Sequence, residues 1–566
     1  MHERERLLPK GRVGRLRREL GVGRSGLRHG AAIAAATGAG ATIVNDDRRR
    51  VARGTGVEAE GQRRDAGKLF LPIEPEEKLM TMVTREPAKA TAPDPAIAAL
   101  HHAFEAQKRA FLEDPSPSFE RRQEHLGAVA QMMMANRERI RAALSADFGV
   151  HPEAASDLIE VLGVAGRAAY AMGKLSEWMA DDERELDPAL YGTARASVRY
   201  QPKGVIGNIV PWNFPFDLSV GPLIEMLAAG NRVIIKPSDY TPACAELLAT
   251  MIRETFAADH VTVAVGGLEL AKAFPTLRWD HLLYTGSPQI GRDVMLAAAQ
   301  NLVPVTLELG GKCPAIFTSD SVDAANVESV IGTKMVKNGQ MCISVDYVLV
   351  PRASVADFVR LAKERVASAL GTYSKSGDCT GIITERHLDR LVRMKQQASD
   401  AGYEVVELEA GATVDRTTRR MPLALVVEPG PELDLSRDEI FGPILPVFAY
   451  DSLDEAIARV NAGDRPLGLY VFGEHDTETS RVLSETSSGG ACVNTCAMQG
   501  ALPSLGFGGV GTSGMGRHHG VEGFREFSNP RGVVVRGTGD LIAAFYPPYA
   551  TAAAIADAAF APPPVT

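Results

Sequence analysis

The most constraining feature of this chain is a regular alternation of short apolar runs with helix-length segments, which begins at residue 205. The runs recur every 20 to 29 residues, as expected of strands separated by one helix each. Strands joined in this way pair in parallel, so the pattern predicts an α/β fold with a doubly wound sheet. The predicted strands are 205–210, 232–235, 261–265, 281–284 and 305–309, and the predicted helices begin near Asp217, Thr241, Leu268 and Ser287.

A second alternation of the same kind follows, which predicts a second α/β domain. Before both domains, apolar residues between 95 and 148 recur at helical spacing on either side of Pro115 and Pro117, so helices are expected there. The sequence has no internal repeat. The second set of predicted strands is 315–317, 347–350, 445–448 and 469–472, with helices that include 354–370 and 452–460.

The first 79 residues differ in composition from the rest of the chain. They contain 17 Lys and Arg against 11 Asp and Glu, a net charge of +6, whereas all 566 residues together carry −9. Arg-rich sequence without apolar periodicity cannot bury enough surface to offset the entropy lost on folding. We therefore predict that 1–79 is a disordered extension, or that the gene start is assigned too early, with Met80 or Met82 as initiator.

The cysteine usage and the net charge narrow the class of protein. Six sparse cysteines form no disulfide framework, which favours a reducing compartment and a cytoplasmic protein. Only Cys492 and Cys496 lie close together, and the chain has no HExxH pattern, so we predict no metal site. No apolar run is long enough to cross a membrane, and the acidic net charge disfavours a nucleic-acid partner.

Gly, Pro and polar residues follow four successive predicted strands of the first domain. The carboxyl ends of parallel strands meet at one edge of a sheet, and ligands bind there. The sequence therefore predicts a nucleotide-binding crevice at this edge. The segments are 211–215, 236–239, 266–267 and 285–287, and they include Ser238 and Gly267.

The strongest phosphate-binding candidate is the segment that contains Gly286, Ser287 and Gly291. It follows a strand and begins a helix, so free N–H groups and the positive end of the helix dipole would face a pyrophosphate. An ordinary turn is the alternative. The dinucleotide pattern GxGxxG occurs three times elsewhere, but never between a strand and a helix.

Lys236 and Asp239 lie at the end of the second predicted strand. A cation and a carboxylate at this position suit the two hydroxyls of an adenosine ribose. The alternative is a solvated turn with a local ion pair.

Cys342 and Glu308 are the candidate reactive side chains. A cysteine thiolate is both a strong nucleophile near neutral pH and a good leaving group from an acyl adduct. Glu308 lies in an apolar run, where burial raises the pKa of a carboxylate and allows it to act as a general base. The alternatives are an inert buried cysteine and a glutamate that pairs with Lys312.

Seven sequence blocks occur in a fixed order between about residues 90 and 538. They are PWNFP (211–215), KPSD (236–239), YTGSPQIGR (284–292), LELGGKCPAIF (307–317), NGQMCISVDYVLV (338–350), DEIFGPILPV (438–447) and LGFGGVGTSGMGRHHGVEGFREFS (505–528). Together they resemble the aldehyde dehydrogenase superfamily. The spelling is most similar to its class 3 branch, which includes coniferyl aldehyde dehydrogenases.

The resemblance implies NAD(P)-dependent oxidation of an aldehyde to a carboxylic acid. Cys342 would form a thiohemiacetal, whose oxyanion the Asn213 amide and the Cys342 N–H would hold. Hydride transfer would leave a thioester, and Glu308 would activate the water that hydrolyses it. The substrate would be aromatic, such as coniferyl aldehyde, or a medium-chain aliphatic aldehyde, with segment 494–505 at the substrate mouth.

The resemblance also implies how NAD or NADP would bind. Glu439 and Phe441 would contact the nicotinamide ribose and ring, Trp212 and Lys236 would line the cofactor channel, and Ser287 would lie at the pyrophosphate. Asp239 stands where the family commonly has the longer Glu, which leaves the choice between NAD and NADP open.

The implied architecture is two doubly wound α/β domains with a small β oligomerisation bridge, in a homodimer. The bridge would pair a strand at about 193–200 with one at 529–537. The implied boundaries are 80–307 for the N-terminal helices and cofactor domain, 308–495 for the catalytic domain, 496–538 for a return segment and 539–566 for a tail.

Four other functions are weighed against this one. A semialdehyde dehydrogenase would share the chemistry, whereas a CoA-acylating relative often lacks the general base that Glu308 provides. An inactive scaffold on the same fold would require a broken site, but Cys342, Glu308 and Asn213 are all present. RNA binding by the basic segment 1–79 is the last alternative.

Overall fold

The computed structural model describes residues 94–370, 372–474 and 476–560, and the predicted extension 1–79 lies outside them. The described residues belong to one compact unit. Helices come first, and the chain breaks between the first two around Pro115 and Pro117, as predicted. They are α1 (Pro95–Glu113), α2 (Phe119–Ala135), α3 (Arg137–Phe148), the short α4 (Glu153–Ala155), a π-helix (Ser156–Gly163) and α5 (Val164–Trp178).

The first large sheet confirms the α/β fold class, since its strands alternate with helices and all pair in parallel in the order β7-β6-β3-β4-β5. Two strands and a short helix precede it. The elements are β1 (Asp182–Arg184), α6 (Pro188–Tyr191), β2 (Arg195–Pro202), β3 (Val205–Ile209), α7 (Asp217–Ala228), β4 (Arg232–Lys236), α8 (Pro242–Thr255), β5 (Val261–Val263), α9 (Leu268–Ala273), β6 (His281–Gly286), α10 (Pro288–Ala299) and β7 (Val305–Leu309).

A second sheet follows in the order β10-β11-β12-β9-β8-β13-β14, parallel except at its β10 edge. Each of the four strands predicted here is present. The elements are β8 (Pro314–Phe317), α11 (Ala324–Met335), β9 (Tyr347–Pro351), α12 (Val355–Leu370), α13 (Glu385–Asp400), β10 (Glu404–Glu407), β11 (Ala424–Val427), α14 (Asp434–Arg437), β12 (Ile444–Tyr450), α15 (Leu453–Ala462), β13 (Gly468–Phe472), α16 (Asp476–Glu485) and β14 (Gly490–Val493).

The remaining chain returns to the first sheet and then forms a third. Strand β15 (Gly514–Met515) pairs antiparallel with β7, and α17 (Gly520–Glu526) leads into β16 (Ser528–Val535). Strand β16 pairs antiparallel with β2, which also pairs with β1. The last described helix is α18 (Ala550–Phe560), and none of the described helices is long and apolar enough to span a membrane.

One apolar core connects both large sheets and the helices between them. Met133 of α2, Leu227 of α7, Ile235 of β4, Phe317 of β8 and Phe472 of β13 belong to the same buried cluster, and each is fully buried. Because interiors packed in this way resist local displacement, the ends of the two sheets are held at fixed positions relative to each other. The functional residues lie at those ends.

Candidate active site

A cavity of about 260 Å³ lies at the carboxyl ends of β3, β6 and β7. Strands β3 and β6 are neighbours, and the chain leaves them toward opposite halves of the sheet, which is where such folds bind ligands. The cavity brings together eight residues predicted from the sequence: Trp212, Asn213, Gly286, Ser287, Glu308, Cys342, Glu439 and Phe441.

The cysteine lies on a sharply bent segment between α11 and β9. Helix α11 ends at Met335, and shortly after it Lys337 and Asn338 adopt φ values of +52° and +53°. Gly339 continues the left-handed path at φ +77°, and a Cβ atom there would stand 2.3 Å from the Gly442 carbonyl oxygen. This turn carries Cys342 into the cavity. Non-glycine residues in such conformations cluster at functional sites.

The environment of Cys342 does not favour a resting thiolate. Burial raises the pKa of the thiol, and the nearby carboxylates of Glu439 and Glu308 raise it further, although the backbone N–H groups of Cys342 and Ile343 lower it. Nucleophilic attack by cysteine requires the thiolate. In this structure the sulfur would need a positive charge beside it, or a base, in order to ionise.

Asn213 belongs to the turn that joins β3 to α7. Its side chain is only 3% exposed, and it lines the same cavity as Cys342. An amide held there by a buried turn can donate to a negatively charged oxygen. The sequence alone did not indicate this role, because an isolated asparagine after a strand has many explanations; only the family resemblance singled it out.

Glu308 is buried on β7 without a polar partner. It is 2% exposed, and neither carboxylate oxygen accepts a hydrogen bond within the described part of the chain. Burial raises the pKa of Glu308 well above its ordinary value, and Arg517 offsets this only in part. The alternative pairing with Lys312 does not occur, since Lys312 contacts the Asp346 carboxylate instead. Glu308 is thus free to act on a molecule in the cavity.

The residues of the predicted phosphate site lie where β6 ends and α10 begins. Ser287 is the N-cap of α10 and its hydroxyl accepts the Ile290 N–H at 3.5 Å. A Cβ atom on Gly286 would stand 2.3 Å from the Tyr284 hydroxyl oxygen. A Cβ atom on Gly291 would stand 2.7 Å from Leu309 Cδ2. Glycine at these positions lets α10 begin close to the sheet, so its N-terminus faces the cavity.

The second predicted cofactor contact is at the end of β4. Lys236 is 3% exposed and its Nζ donates to the Pro237 carbonyl oxygen at 2.8 Å, and no described ion pair joins it to Asp239. Burial lowers the pKa of Lys236. Ser238, Asp239 and Gly267 follow β4 and β5 at the same edge of the sheet but do not line the 260 Å³ cavity.

Aromatic rings form one wall of the cavity. The Trp212 ring lies 5.3 Å from the Phe441 ring and 5.2 Å from the His387 ring, both edge to face. Phe441 also adopts a left-handed conformation, with a φ of +50°. A wall of this kind suits a flat heterocycle, and the half-buried Glu439 beside it suits a ribose hydroxyl.

His387 and Arg390 line the cavity but were not predicted. Both lie on α13, which Thr384 caps by accepting the His387 N–H at 3.2 Å. Arg390 donates to the carbonyl oxygens of Glu439, at 3.4 Å, and Ile440, at 2.5 Å, and so holds the segment with Glu439 in place. Histidine and arginine are common on the polar face of an amphipathic helix, so the sequence around them does not indicate that they line a cavity.

The residues fit a nicotinamide dinucleotide. The start of α10, which is lined by glycines, suits the phosphates, and Lys236, which donates to one carbonyl oxygen, suits a ribose. The aromatic wall suits the nicotinamide ring, and Glu308, which has no polar partner among the described residues, suits a reacting water. Within the described ranges, no group of three or more His, Cys, Asp or Glu side chains could hold a metal ion.

Comparison with known proteins gives consistent matches. The model of the aldehyde dehydrogenase family matches residues 79–533. Coniferyl aldehyde dehydrogenase of Pseudomonas sp. (strain HR199) is 39% identical over 457 residues, which cover 80% of this chain and 94% of that protein. The dimeric NADP-preferring aldehyde dehydrogenase of Mus musculus is 34% identical over 416 residues, 73% of this chain and 90% of its own.

A solved structure agrees with the sequence matches. The substrate-bound state of Staphylococcus aureus AldH superimposes with a TM-score of 0.77 at 32% sequence identity. The match covers 82% of this chain and 99% of that one.

Proposed function

Because this chain belongs to the aldehyde dehydrogenase family, and so is an oxidoreductase that acts on aldehydes with NAD(P), we propose that Cys342, Glu308 and Asn213 carry out the reaction. The observation that supports this proposal is that all three line one cavity together with the residues suited to a nicotinamide dinucleotide.

In the first step the Cys342 sulfur bonds to the aldehyde carbon, and the electron pair of the carbonyl double bond moves to oxygen. The thiol proton passes to water as the S–C bond forms, and the raised pKa of Cys342 opposes this loss. When bound, NAD(P) would supply the acceptor for the hydride that leaves carbon in the second step. The buried Asn213 amide and the Cys342 N–H donate to the new oxyanion, which is stabilised more in a dry site than in water.

In the second step the thiohemiacetal oxygen reforms its double bond and the hydride leaves from carbon, which gives a thioester on Cys342. Glu308 then removes a proton from water, the water oxygen bonds to the thioester carbon, and the sulfur leaves. A carboxylate whose pKa is raised by burial is a stronger base than an exposed one, which suits Glu308 to this task. The product is a carboxylic acid.

The cofactor contacts form part of the same proposal. Ser287 and the start of α10 would hold the pyrophosphate, Lys236 the adenosine ribose, and Glu439 the nicotinamide ribose, with Phe441 behind the ring. Burial raises the pKa of Glu439 to about 8, so near neutral pH it can donate a hydrogen bond as well as accept one. His387 and Arg390 line the same cavity, so we include them among the proposed cofactor contacts.

We propose an aromatic aldehyde of the coniferyl type as substrate. The support is the 39% identity, over nearly its whole length, to a coniferyl aldehyde dehydrogenase. The loop that follows β14 contributes to the substrate side: a Cβ atom on Gly500 would stand 2.7 Å from Ile343, the residue after the nucleophile. Medium-chain aliphatic aldehydes and semialdehydes are the competing substrates.

We also propose a homodimer assembled through the three-stranded sheet, in a reducing compartment. Val534 and Val535 of β16 are 66% and 51% exposed, and exposed apolar residues on a sheet edge favour pairing with another strand. The mouse relative is named as dimeric. All six cysteines are free, which is consistent with a reducing compartment.

The proposal is tested by a cofactor-reduction screen of aromatic, aliphatic and semialdehyde substrates with NAD and with NADP. Coniferyl-type aldehydes should give the highest kcat/KM, and Cys342→Ala should abolish reduction with every aldehyde. Cys492→Ala, which removes another half-buried thiol, is the matched control and should retain activity. Substantial turnover by Cys342→Ala would refute the nucleophile, and a preference for semialdehydes would refute the substrate class.

A further inference from the structure

Lys337 and Glu160 form an ion pair in the interior, close to the proposed oxyanion site but outside the cavity. The Nζ and Oε1 atoms are 2.9 Å apart, and the two side chains are 1% and 0% exposed. Removing two charges from water is costly even when they attract each other, and apolar replacements of a buried ion pair are often as stable. A contribution to overall stability therefore does not explain this pair well. Its role is inferred from the groups that the two side chains contact.

Glu160 holds the turn that presents Asn213. Its Oε2 atom accepts the backbone N–H of Phe216 at 3.0 Å and that of Asp217 at 2.9 Å. These two groups lie at the start of α7, directly after the turn, where a helix end has free N–H donors and favours a negative charge. Glu160 itself belongs to the π-helix, a distortion that is frequent at functional sites.

Lys337 holds the turn that presents Cys342. It is the first of the left-handed residues after α11, at φ +52°, and precedes the nucleophile by one tight turn. Its Nζ atom also lies 4.7 Å from the centre of the Phe214 ring and 4.5 Å from that of Phe148. Phe214 is the residue after Asn213, so Lys337 contacts the oxyanion turn directly as well as through Glu160.

The ion pair thus connects the two backbone turns that supply the two proposed oxyanion donors, the Asn213 amide and the Cys342 N–H. We propose that Lys337 and Glu160 are a positioning pair that fixes these donors relative to each other for attack on the aldehyde. This inference rests on the proposed function. Neither side chain touches the reacting atoms, but small errors in donor geometry reduce rates strongly.

The test is a double-mutant cycle on the rate of the pre-steady-state burst of NAD(P)H. Lys337→Met removes the charge and keeps an apolar side chain of similar length. In the otherwise unchanged enzyme it should slow the burst by about tenfold or more. In Asn213→Ala, where the donor is already absent, it should slow the burst by less than about twofold, because coupled residues are not additive.

A role confined to stability would give the same fold loss in both backgrounds, and that result would overturn the inference. Unchanged burst rates in Lys337→Met would also overturn it. The matched control is Asp157→Asn, in the same π-helix, which breaks an ion pair with Arg141 that contacts neither turn, and it should leave the burst unchanged. Lys337→Arg should recover part of the rate.

If Lys337→Met does not fold, Lys337→Met with Glu160→Gln removes both charges together, and the same comparison with Asn213→Ala is made. Failure of the proposed function is a separate outcome, since an active Cys342→Ala would reveal it without any change to this pair. Binding of NADPH, followed by its fluorescence, should stay within about twofold of the parent enzyme in Lys337→Met, because neither Lys337 nor Glu160 lines the cavity proposed to hold the cofactor.

Discussion

The carboxylate of Glu439 occupies the space in which a side chain on Gly310 would lie: a Cβ atom on Gly310 would stand 2.1 Å from Glu439 Oε2. Gly310 directly follows β7, the strand that carries Glu308. The absence of a side chain at one position therefore lets two carboxylates face the same cavity, one from β7 of the first sheet and one from the segment that leads into β12 of the second.

Gly310→Ala should displace Glu439 and weaken cofactor binding. We expect the KM for NAD(P) to rise by about tenfold, which corresponds to ~1.4 kcal/mol. Steady-state kinetics with varied cofactor measures the change. Gly173→Ala in α5 is the control, because nothing lies within 4 Å of its added Cβ, and it should leave the KM unchanged. An unaltered KM in Gly310→Ala would contradict the role of Glu439.

Glu308→Gln should separate hydride transfer from hydrolysis. The variant should still release a burst of about one NAD(P)H per subunit, whereas steady-state turnover should fall by about 100-fold, because a general base typically contributes that much or more. Stopped-flow absorbance at the reduced-cofactor band measures both quantities. Loss of the burst itself would show that Glu308 acts before hydride transfer.

The same substitution should change stability in a pH-dependent way. Burial raises the pKa of Glu308 above its unfolded value near 4.5, so the folded state holds the proton more tightly. Below the unfolded pKa, Glu308 is protonated in both states and its ionisation does not lower the free energy of unfolding. As the pH rises from the unfolded pKa toward the folded pKa, the unfolded state loses the proton first, so the free energy of unfolding decreases. The melting temperature of Glu308→Gln, relative to that of the parent enzyme, should therefore rise as the pH increases from about 5 to 8. Exposed Glu246→Gln is the control for the substitution itself, and a pH-independent difference between Glu308→Gln and the parent would contradict the raised pKa of Glu308.

Asp239 should influence the choice between NAD and NADP. It is exposed after β4 and has no hydrogen bond or ion pair among the described residues. Its carboxylate would accept from a ribose 2′-hydroxyl but repel a 2′-phosphate, so Asp239→Ser should shift the kcat/KM ratio toward NADP by about tenfold. Asp259→Ser, at the opposite end of the sheet, should leave the ratio unchanged. An equal shift in both variants would argue against a contact at Asp239.

Removal of residues 1–79 should leave the enzyme intact. The family match begins at residue 79, and the Arg-rich composition before it is unsuited to a packed core. A protein beginning at Met80 should keep its kcat and melt within about 2 °C of the full chain. Loss of solubility or activity on truncation would instead assign a structural role to this segment.

The strands and helices around the cofactor sheet were predictable from the sequence because their signal is local. The run at 305–309 and the strand Val305–Leu309 coincide, since apolar residues that end in glycines mark both the strand and its limit. Strand β5 ends at Val263, two residues before the predicted limit, and the chain has no regular secondary structure from Ala264 to Gly267. The bridge strands run over 195–202 and 528–535 rather than 193–200 and 529–537.

The site could be predicted only in part, for a physical reason. Cys342 and Glu308 stand out by their own chemistry, whereas Asn213 and Glu439 acquire a role only from neighbours distant in sequence. The Lys337–Glu160 pair joins residues separated by 177 positions, so no local pattern could reveal it. The conformation of Phe441 likewise follows from tertiary contacts, because aromatic residues do not favour a φ of +50°.

The pairing of β15 with β7 places Gly514 directly opposite Glu308. During synthesis, the ribosome releases β7 long before β15, so the newly made cofactor sheet has an open edge at the very strand that bears the base. Open edges invite contact with other chains, and domains generally fold in the order in which they emerge. The nascent protein is therefore prone to aggregation in the interval between these two strands, until β15 pairs with the strand that carries Glu308.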